Sequence, residues 1–327
     1  MITTCLCKKT GEMQLVMSRA EMLASLKDKE SLLWVDLENP DDFETECLIE
    51  IFNFHPLAIE DCLSDHSEPK IDDYEEYLFI VAHDVVLEKN EEKDCEELQT
   101  RELHIFCGAN YVVTFHKKPL KSLEQTRVMT ERKGERLMAR GSGMLLHAVL
   151  DKLVDHYQPV LDAYDRKIDQ MEELAFDNPP SDYLSNVVHV KRDVFNLRRI
   201  ISAHRELMNQ LIRGGDAYFP QEQAIYFRDV QDHLVRIHSM TEGFHEALTS
   251  ILQAYFSYSS HKLNEIIKHM TVLATLTMPA IIIASIYGMN FQHMPELDWI
   301  WGYPAALLLS VLTSAIMLLW MRWKKWI

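Results

Sequence analysis

The sequence predicts an α+β membrane protein with an N-terminal α/β domain, a helical hairpin, a very long stalk helix and two C-terminal transmembrane helices. Three observations carry this prediction. Two uncharged apolar runs, 270–287 and 303–321, lie near the end of the chain, and each is close to the ~20 residues that a helix needs to cross a bilayer. Apolar residues spaced by threes and fours persist from Leu145 almost to the end, which is the helical period. Before Pro119, short β-rich runs alternate with helical stretches.

Residues 1–120 read as a cytoplasmic α/β domain. Runs 31–36, 77–87 and 111–116 are strand-like, 18–27 is helical, and Cys107-Gly108-Ala109-Asn110 reads as a hairpin turn. No phosphate-cradling glycine loop is present. Gly141-Ser142-Gly143 lacks nucleotide-motif spacing and reads as a helix start. Within the domain, His55-Pro56-Leu57-Ala58-Ile59-Glu60-Asp61-Cys62-Leu63 sets two adjacent carboxylates, Glu60 and Asp61, in an otherwise apolar turn. Solvent exposure is the plain explanation, because acids lie mostly outside. Six cysteines (Cys5, Cys7, Cys47, Cys62, Cys95, Cys107) with no secretory signal before them suggest free thiols in a reducing compartment. Cys5-Leu6-Cys7 has no partner pair at zinc-finger spacing and reads as structural.

Residues 121–215 read as a cytoplasmic helical region holding an antiparallel hairpin. Val149, Leu153, His156, Val160, Tyr164 and Ile168 line one face of a helix over 145–176, with a kink expected at Pro159. Asp177-Asn178-Pro179-Pro180-Ser181 breaks it, and Ser181 is the expected cap of a second helix reaching about residue 213. Charges such as Glu172, Glu173, Lys191 and Arg192 read as solvated faces.

Residues 216–290 read as one stalk helix that continues into the first membrane span at about 270–290. After Pro220 nothing breaks the pattern before Gly288. Gly243 costs only about 1 kcal/mol, and Pro279 is tolerable in a membrane bundle. About 68 residues at 1.5 Å each would reach ~100 Å, so the helix needs neighbours. Stepping by threes and fours gives Ser250, Gln253, Ser257, Ser260, Asn264, Ile267, Thr271, Ala274, Met278, Ile281 and Ser285. A dry seam would not collect hydroxyls and amides in its cytoplasmic half, whereas symmetry-related helices around water would. The seam then turns apolar at Ile267, Ala274, Met278 and Ile281, with Met270 one residue off it. That half fits a hydrophobic constriction that gates by dewetting, and it fits ordinary helix packing as well.

Residues 291–302 form the external loop, with Glu296 and Asp298 and no Lys or Arg. The second span is 303–321 and the tail 322–327 is basic. Lys262 and Lys268 precede the first span, and Arg322, Lys324 and Lys325 follow the second, so both termini are expected in the cytoplasm. Trp299, Trp301, Tyr303 and Trp320, Trp323, Trp326 flank the second span as interfacial aromatics do.

The Tyr287-Gly288-Met289-Asn290 signature, the Met294-Pro295-Glu296-Leu297 that follows, the paired terminal spans and the basic, aromatic tail resemble the CorA family of magnesium channels and transporters. The likeness extends over the whole chain, more thinly upstream. It implies a homopentamer in the cell inner membrane that admits Mg²⁺, also Co²⁺, with Ni²⁺ a further candidate. Gly288, Met289 and Asn290 would form the outer filter, Asn264 an inner polar ring, and Met278, Ala274, Met270 and Ile267 the narrow gate, on the seam that also holds Thr271, Ile281 and Ser285. Glu60, Asp61, Asp155 and Asp229 would form regulatory Mg²⁺ sites between subunits, and Glu296 would sit at the external mouth. Three positions depart from the family pattern. Gln253 stands where some relatives carry an acid, Ile281 where a threonine can stand, and Gln292-His293 replaces an acidic-aromatic pair.

Mg²⁺ demands octahedral oxygen coordination and dehydrates reluctantly, so a neutral amide ring at Asn290 suits the hydrated ion. A carboxylate ring there would hold it too tightly for conduction. Acidic residues outnumber basic ones 50 to 33, giving a formal charge of -17, which argues against a nucleic-acid partner. No catalytic constellation or nucleotide motif is found, so an enzyme is not expected. The expected partners are sister copies of the chain, the bilayer and divalent ions. The rival readings are a zinc transporter of the same superfamily and a membrane-anchored metal sensor that conducts nothing.

Overall fold

The computed structural model describes the chain except residues 9–11, 65–67, 91–94, 177–178, 215–217, 291–293, 296–297, 325 and 327. Met1–Ile251 and Leu252–Ile327 form two units.

The first unit is built on a seven-stranded sheet in the order β2-β1-β3-β7-β6-β5-β4. Its strands are β1 (Ile2–Cys7), β2 (Met13–Leu15), β3 (Leu32–Glu38), β4 (Lys70–Asp73), β5 (Tyr77–Asn90), β6 (Cys95–Gly108) and β7 (Tyr111–His116). The central β3 and β7 pair in parallel, from Leu33 beside Tyr111 to Glu38 beside His116, and every other pairing is antiparallel. Side chains alternate across β3. Leu33, Val35 and Leu37 enter a core with Leu48, Phe54, Ile59, Phe79 and Phe106, while Trp34 faces the other side and donates its indole N–H to Thr114 Oγ1 at 3.1 Å.

Helices cover both faces. On the first face lie α1 (Arg19–Leu26), α2 (Asp42–Glu50) and α3 (Pro56–Leu63). Ser18 and Asp41 close capping boxes with Glu21 and Glu44 at the starts of α1 and α2, each satisfying backbone N–H groups that a helix start leaves open. After α4 (Lys121–Leu137) come α5 (Ser142–Asp155), α6 (Tyr157–Leu174) and α7 (Tyr183–Gly214). Of these, α5 packs on β5, β6 and β7, α6 on β5, and α7 on β4 and β5. Gly141, at φ 98°, leads into α5 in a conformation that L side chains rarely adopt.

Several elements differ from expectation. The strand expected over 77–87 runs on to Asn90, and the outer half of β6 had no clear strand signal, because Glu88, Lys89, Glu96, Glu97, Gln99 and Arg101 make this end of the hairpin polar. The helix expected over 145–176 is two helices that break at His156 rather than at Pro159. Pro159 then lies in the first turn of α6, where the missing N–H costs nothing. The second hairpin helix starts at Tyr183 rather than after a cap at Ser181, since a turn closes from Tyr183 N–H to Pro180 O at 3.1 Å. The cysteines at 5, 7, 47, 62 and 107 are buried thiols, and burial pushes Cys5 up to about 12. That is the state of a packed, unreactive thiol.

The long helix α8 (Ala224–Tyr287) has 64 residues. Within the first unit it buries Phe227, Val230, Leu234, Ile237, Thr241, Phe244, Leu248 and Ile251, a stripe at steps of three and four. It is also clasped by α7. Asn209 meets Gln231 (2.5 Å), Arg198 meets Glu242 (3.0 Å) and Lys191 meets Thr249 (2.9 Å), an antiparallel register.

In the second unit, α8 and α9 (Gly302–Trp323) are both long and apolar enough to cross a membrane. None of the most apolar window of α8 is buried, an arrangement that water would penalise and lipid would not. The half-buried residues of α8 here include Val272, Thr275, Leu276, Pro279, Ile283 and Tyr287. The covered residues of α9 are Gly302, Ala306, Ser310, Thr313, Ser314 and Met321, mostly small side chains at four-residue steps that let membrane helices approach. Ser314 Oγ donates to Leu276 O at 2.9 Å.

Candidate metal centre and pore

Glu60 and Asp61 lie on a helix, not in the turn expected. His55 caps α3, its Nδ1 accepting from Leu57 N–H at 3.2 Å, and Pro56 occupies the first helical position, where its lack of an N–H is harmless. Ala58, Ile59 and Cys62 are buried, so Glu60 is exposed and Asp61 sits on the flank. Asp61 is held by Lys70, whose Nζ is 2.7 Å from Asp61 Oδ2 and 2.8 Å from Asp72 Oδ2. Burial works against the Lys70 charge, but the bonds to Asp61 and Asp72 outweigh it and hold the ammonium above its ordinary pKa.

Asp155 ends α5. Its carboxylate converges with those of Asp151 and with the imidazole of His233 on α8, one ligand atom from each lying within 4.8 Å of the others. Among the described residues this is the one such group of three or more His, Cys, Asp or Glu side chains. Two carboxylates and an imidazole fit a divalent cation that completes its shell with water. Asp151 and His233 had not been singled out from sequence. The signal was helical spacing, because Asp151 stands four residues before Asp155 and His233 four after Asp229, and such pairs share a face.

Asp229 is exposed on the first turns of α8 and is not a member of that group within one chain. It acts electrostatically on His147, one turn before Asp151. Burial holds that imidazole below its ordinary pKa, and Asp151 and Asp229 offset only part of the shift. His147 also packs on Phe227 at 6.0 Å between ring centroids. Neighbouring contacts fix this start of α8. Arg140 Nη2 donates to Tyr226 OH at 2.7 Å, and Gln223 Nε2 donates to Arg140 O at 2.7 Å.

In the second unit, Asn264, Ile267, Met270, Ala274, Met278, Ile281 and Ser285 are all exposed, and Thr271 is half-buried. At 3.6 residues per turn these positions lie opposite the face that α9 covers. Thr271 turns its hydroxyl onto its own helix, donating to Ile267 O at 2.8 Å, so its polar atom is not offered outward. The helix ends at Tyr287, and Gly288 N–H still bonds Ala284 O at 2.9 Å. A Cβ on Gly288 would lie 3.1 Å from Ala284 O. The residue therefore serves through its missing side chain, without the positive φ that Gly141 adopts. Met289 and Asn290 follow, both exposed. Glu296, like Gln292 and His293, lies outside the described residues.

The family profile described as CorA-like Mg²⁺ transporter protein matches residues 29–324. The chain is 34% identical over 278 residues to the cobalt/magnesium transport protein CorA of Thermotoga maritima, covering 85% of this chain and 78% of that one. It is 33% identical over 293 residues to the putative metal ion transporter YfjQ of Bacillus subtilis, covering 90% and 89%. Its fold is similar to the complete structure of the CorA magnesium transporter from Methanocaldococcus jannaschii, with a TM-score of 0.81 at 20% identity over 100% of this chain and 99% of that one. With a sheet domain, a long helix and two apolar C-terminal helices in common and one profile spanning nearly the whole sequence, the chain belongs to the CorA-like Mg²⁺ transporter family.

Proposed function

We propose that the chain is a homopentameric inner-membrane channel that admits Mg²⁺, together with Co²⁺ and Ni²⁺, down its electrochemical gradient. The single observation that carries this reading is the uncovered face of α8 opposite α9, which runs from Asn264 to Ser285 and leads to Gly288-Met289-Asn290. Five such faces around one axis would enclose a path that is polar at Asn264, apolar through Ile267, Met270, Ala274, Met278 and Ile281, and amide-lined at Asn290. The apolar stretch would close by dewetting and the amide ring would hold the hydrated ion loosely. With Ile281 on the face and the Thr271 hydroxyl turned inward, the constriction is drier than the seam alone suggests. Influx needs no nucleotide, since a divalent cation gains about twice the single-charge value of ~2.3 kcal/mol per 100 mV. Both termini would face the cytoplasm, and Glu296 would stand at the external mouth.

Cytosolic Mg²⁺ would regulate the channel at Asp151, Asp155 and His233, with Glu60, Asp61 and Asp229 contributed at the contact between copies. Bound ion neutralises these carboxylates and favours the closed assembly, and its loss shifts the population toward open states. Support comes from the converging donor set within one chain.

The test is ion uptake into proteoliposomes under an inside-negative potential, for the wild type and Asn290→Ala, with Zn²⁺ and Co²⁺ in parallel. Mg²⁺ uptake that drops at least tenfold in the variant is expected. Zn²⁺ uptake alone would move the chain to a zinc transporter, and no flux of any ion would leave a membrane metal sensor.

A further inference from the structure

Two of the carboxylates that the regulatory reading names, Asp61 and Asp155, are each held by a lysine that also holds a second aspartate. Lys152 Nζ lies 2.5 Å from Asp155 Oδ2 and 3.5 Å from Asp151 Oδ2. Lys70 Nζ lies 2.7 Å from Asp61 Oδ2 and 2.8 Å from Asp72 Oδ2. The same arrangement therefore occurs twice, on α5 and on the α3–β4 pair. We propose that Lys70 and Lys152 are tethered cations that neutralise the regulatory carboxylates when divalent ion is scarce, so that metal binding is an exchange of ammonium for ion and the two lysines set its threshold.

This inference rests on the reading of Asp61 and Asp155 as regulatory ligands. Asp151 and Asp155 bring two negative charges within 4.8 Å of each other, a repulsion that an ammonium between them relieves. An ammonium has three donors and no lone pair, so it cannot join a metal's shell. A dication reaching the same oxygens meets a positive charge at hydrogen-bond distance from them, and the lysine has to leave. It leaves easily, because its charge sits on a flexible four-carbon stem and both side chains are partly open to solvent, at 27% for Lys152 and 40% for Lys70. No proton moves in the exchange. A lysine in water has a pKa of about 10.4, so the freed group is still charged. An internal competitor of this kind lowers the apparent metal affinity by the fraction of time it occupies the site. Exposed ion pairs of this type are worth up to about a fivefold factor each.

Mg²⁺ binding to the full-length chain in nanodiscs, followed by calorimetry, tests this. Lys152→Met and Lys70→Met are expected to lower the Mg²⁺ midpoint up to about fivefold each, and Lys152→Arg, which keeps the charge, to stay near the wild-type midpoint. Lys152→Gln, a neutral hydrogen-bond donor, gives the same comparison if the Met variant does not fold. Met and Gln variants that bind at the wild-type midpoint or more weakly, while Asp155→Asn weakens binding, would overturn the exchange and leave the site standing. If Asp155→Asn and Asp61→Asn also leave the midpoint unmoved, the regulatory site itself is wrong and the exchange falls with it.

Discussion

His204 is fully enclosed where α7 meets the sheet. Its Nε2 accepts from His83 N–H at 3.1 Å, and its Nδ1–H bonds Ile200 O at 3.0 Å, while Tyr157 OH donates to His83 O at 2.5 Å. Burial pushes the imidazole down to about 3, and the buried His104 is pushed down to about 4 by the same cause. Both are neutral in the folded chain but take up protons near pH 6.5 when unfolded. Between those values the unfolded state binds more protons, so stability falls as pH drops below about 6.5, by about 1.4 kcal/mol per pH unit for each histidine. The thermal midpoint of the protein should therefore decline from pH 7 to pH 4, and His204→Gln, which still offers an acceptor and a donor, should flatten that decline. An equally steep profile in the variant would remove His204 from this role. Residues of this kind are hard to recognise in a sequence, because a histidine on an apolar face looks the same whether it is a ligand, a surface group or a core tie. Asp151 and His233 were missed for a related reason, since their pairing needs α5 and α8 brought side by side.

At the scale of elements, the joint between α5 and the start of α8 has no spare room. A Cβ on Gly143 would come within 2.2 Å of Gln223 Oε1 and 2.7 Å of Phe219 Cβ. Both contacts lie in the segment that leads into α8, and Gln223 is itself tied to Arg140 O. Gly143→Val should cost about 1–3 kcal/mol by overpacking, read as a lower thermal midpoint. A midpoint within error of wild type would show that the α8 lead-in yields freely. The elements that could be read in advance were those whose pattern matched their burial, namely β7, α1, the two spans and the long helix. Those misjudged were ones where tertiary packing decided the outcome. The polar outer half of β6 is a strand because β5 pairs with it throughout, and α3 is a helix because His55 and Pro56 start one over only eight residues.

At the scale of the whole molecule, the candidate metal group belongs to the first unit and the candidate path to the second, and α8 contributes residues to both. Asp229 stands near the beginning of that helix, exposed and outside the group formed by Asp151, Asp155 and His233. Asp229→Asn should make Mg²⁺ uptake into proteoliposomes less sensitive to Mg²⁺ placed on the cytoplasmic side, shifting the half-inhibitory concentration upward at least severalfold. Unchanged inhibition would detach Asp229 from regulation. The uncovered face of α8 also predicts an assembled mass near that of five 38.2 kDa chains, measurable by native mass spectrometry in detergent. The positions along this face were legible in the sequence as a seam, because membrane helices carry their orientation in period and residue size. Of the candidate metal group, Asp155 was legible in the sequence, and Asp151 and His233 were not.

The parallel pairing of β3 with β7 also bears on how the chain is made. The sheet cannot close at its centre until His116 has been synthesised, yet the first apolar span begins only near Met270. At ~5–20 residues per second, the intervening segment takes the ribosome on the order of ten seconds. Mixed sheets of this size close in milliseconds to seconds. The sheet therefore has time to fold before the first of these apolar spans emerges, and insertion acts on a chain whose strands are already in register.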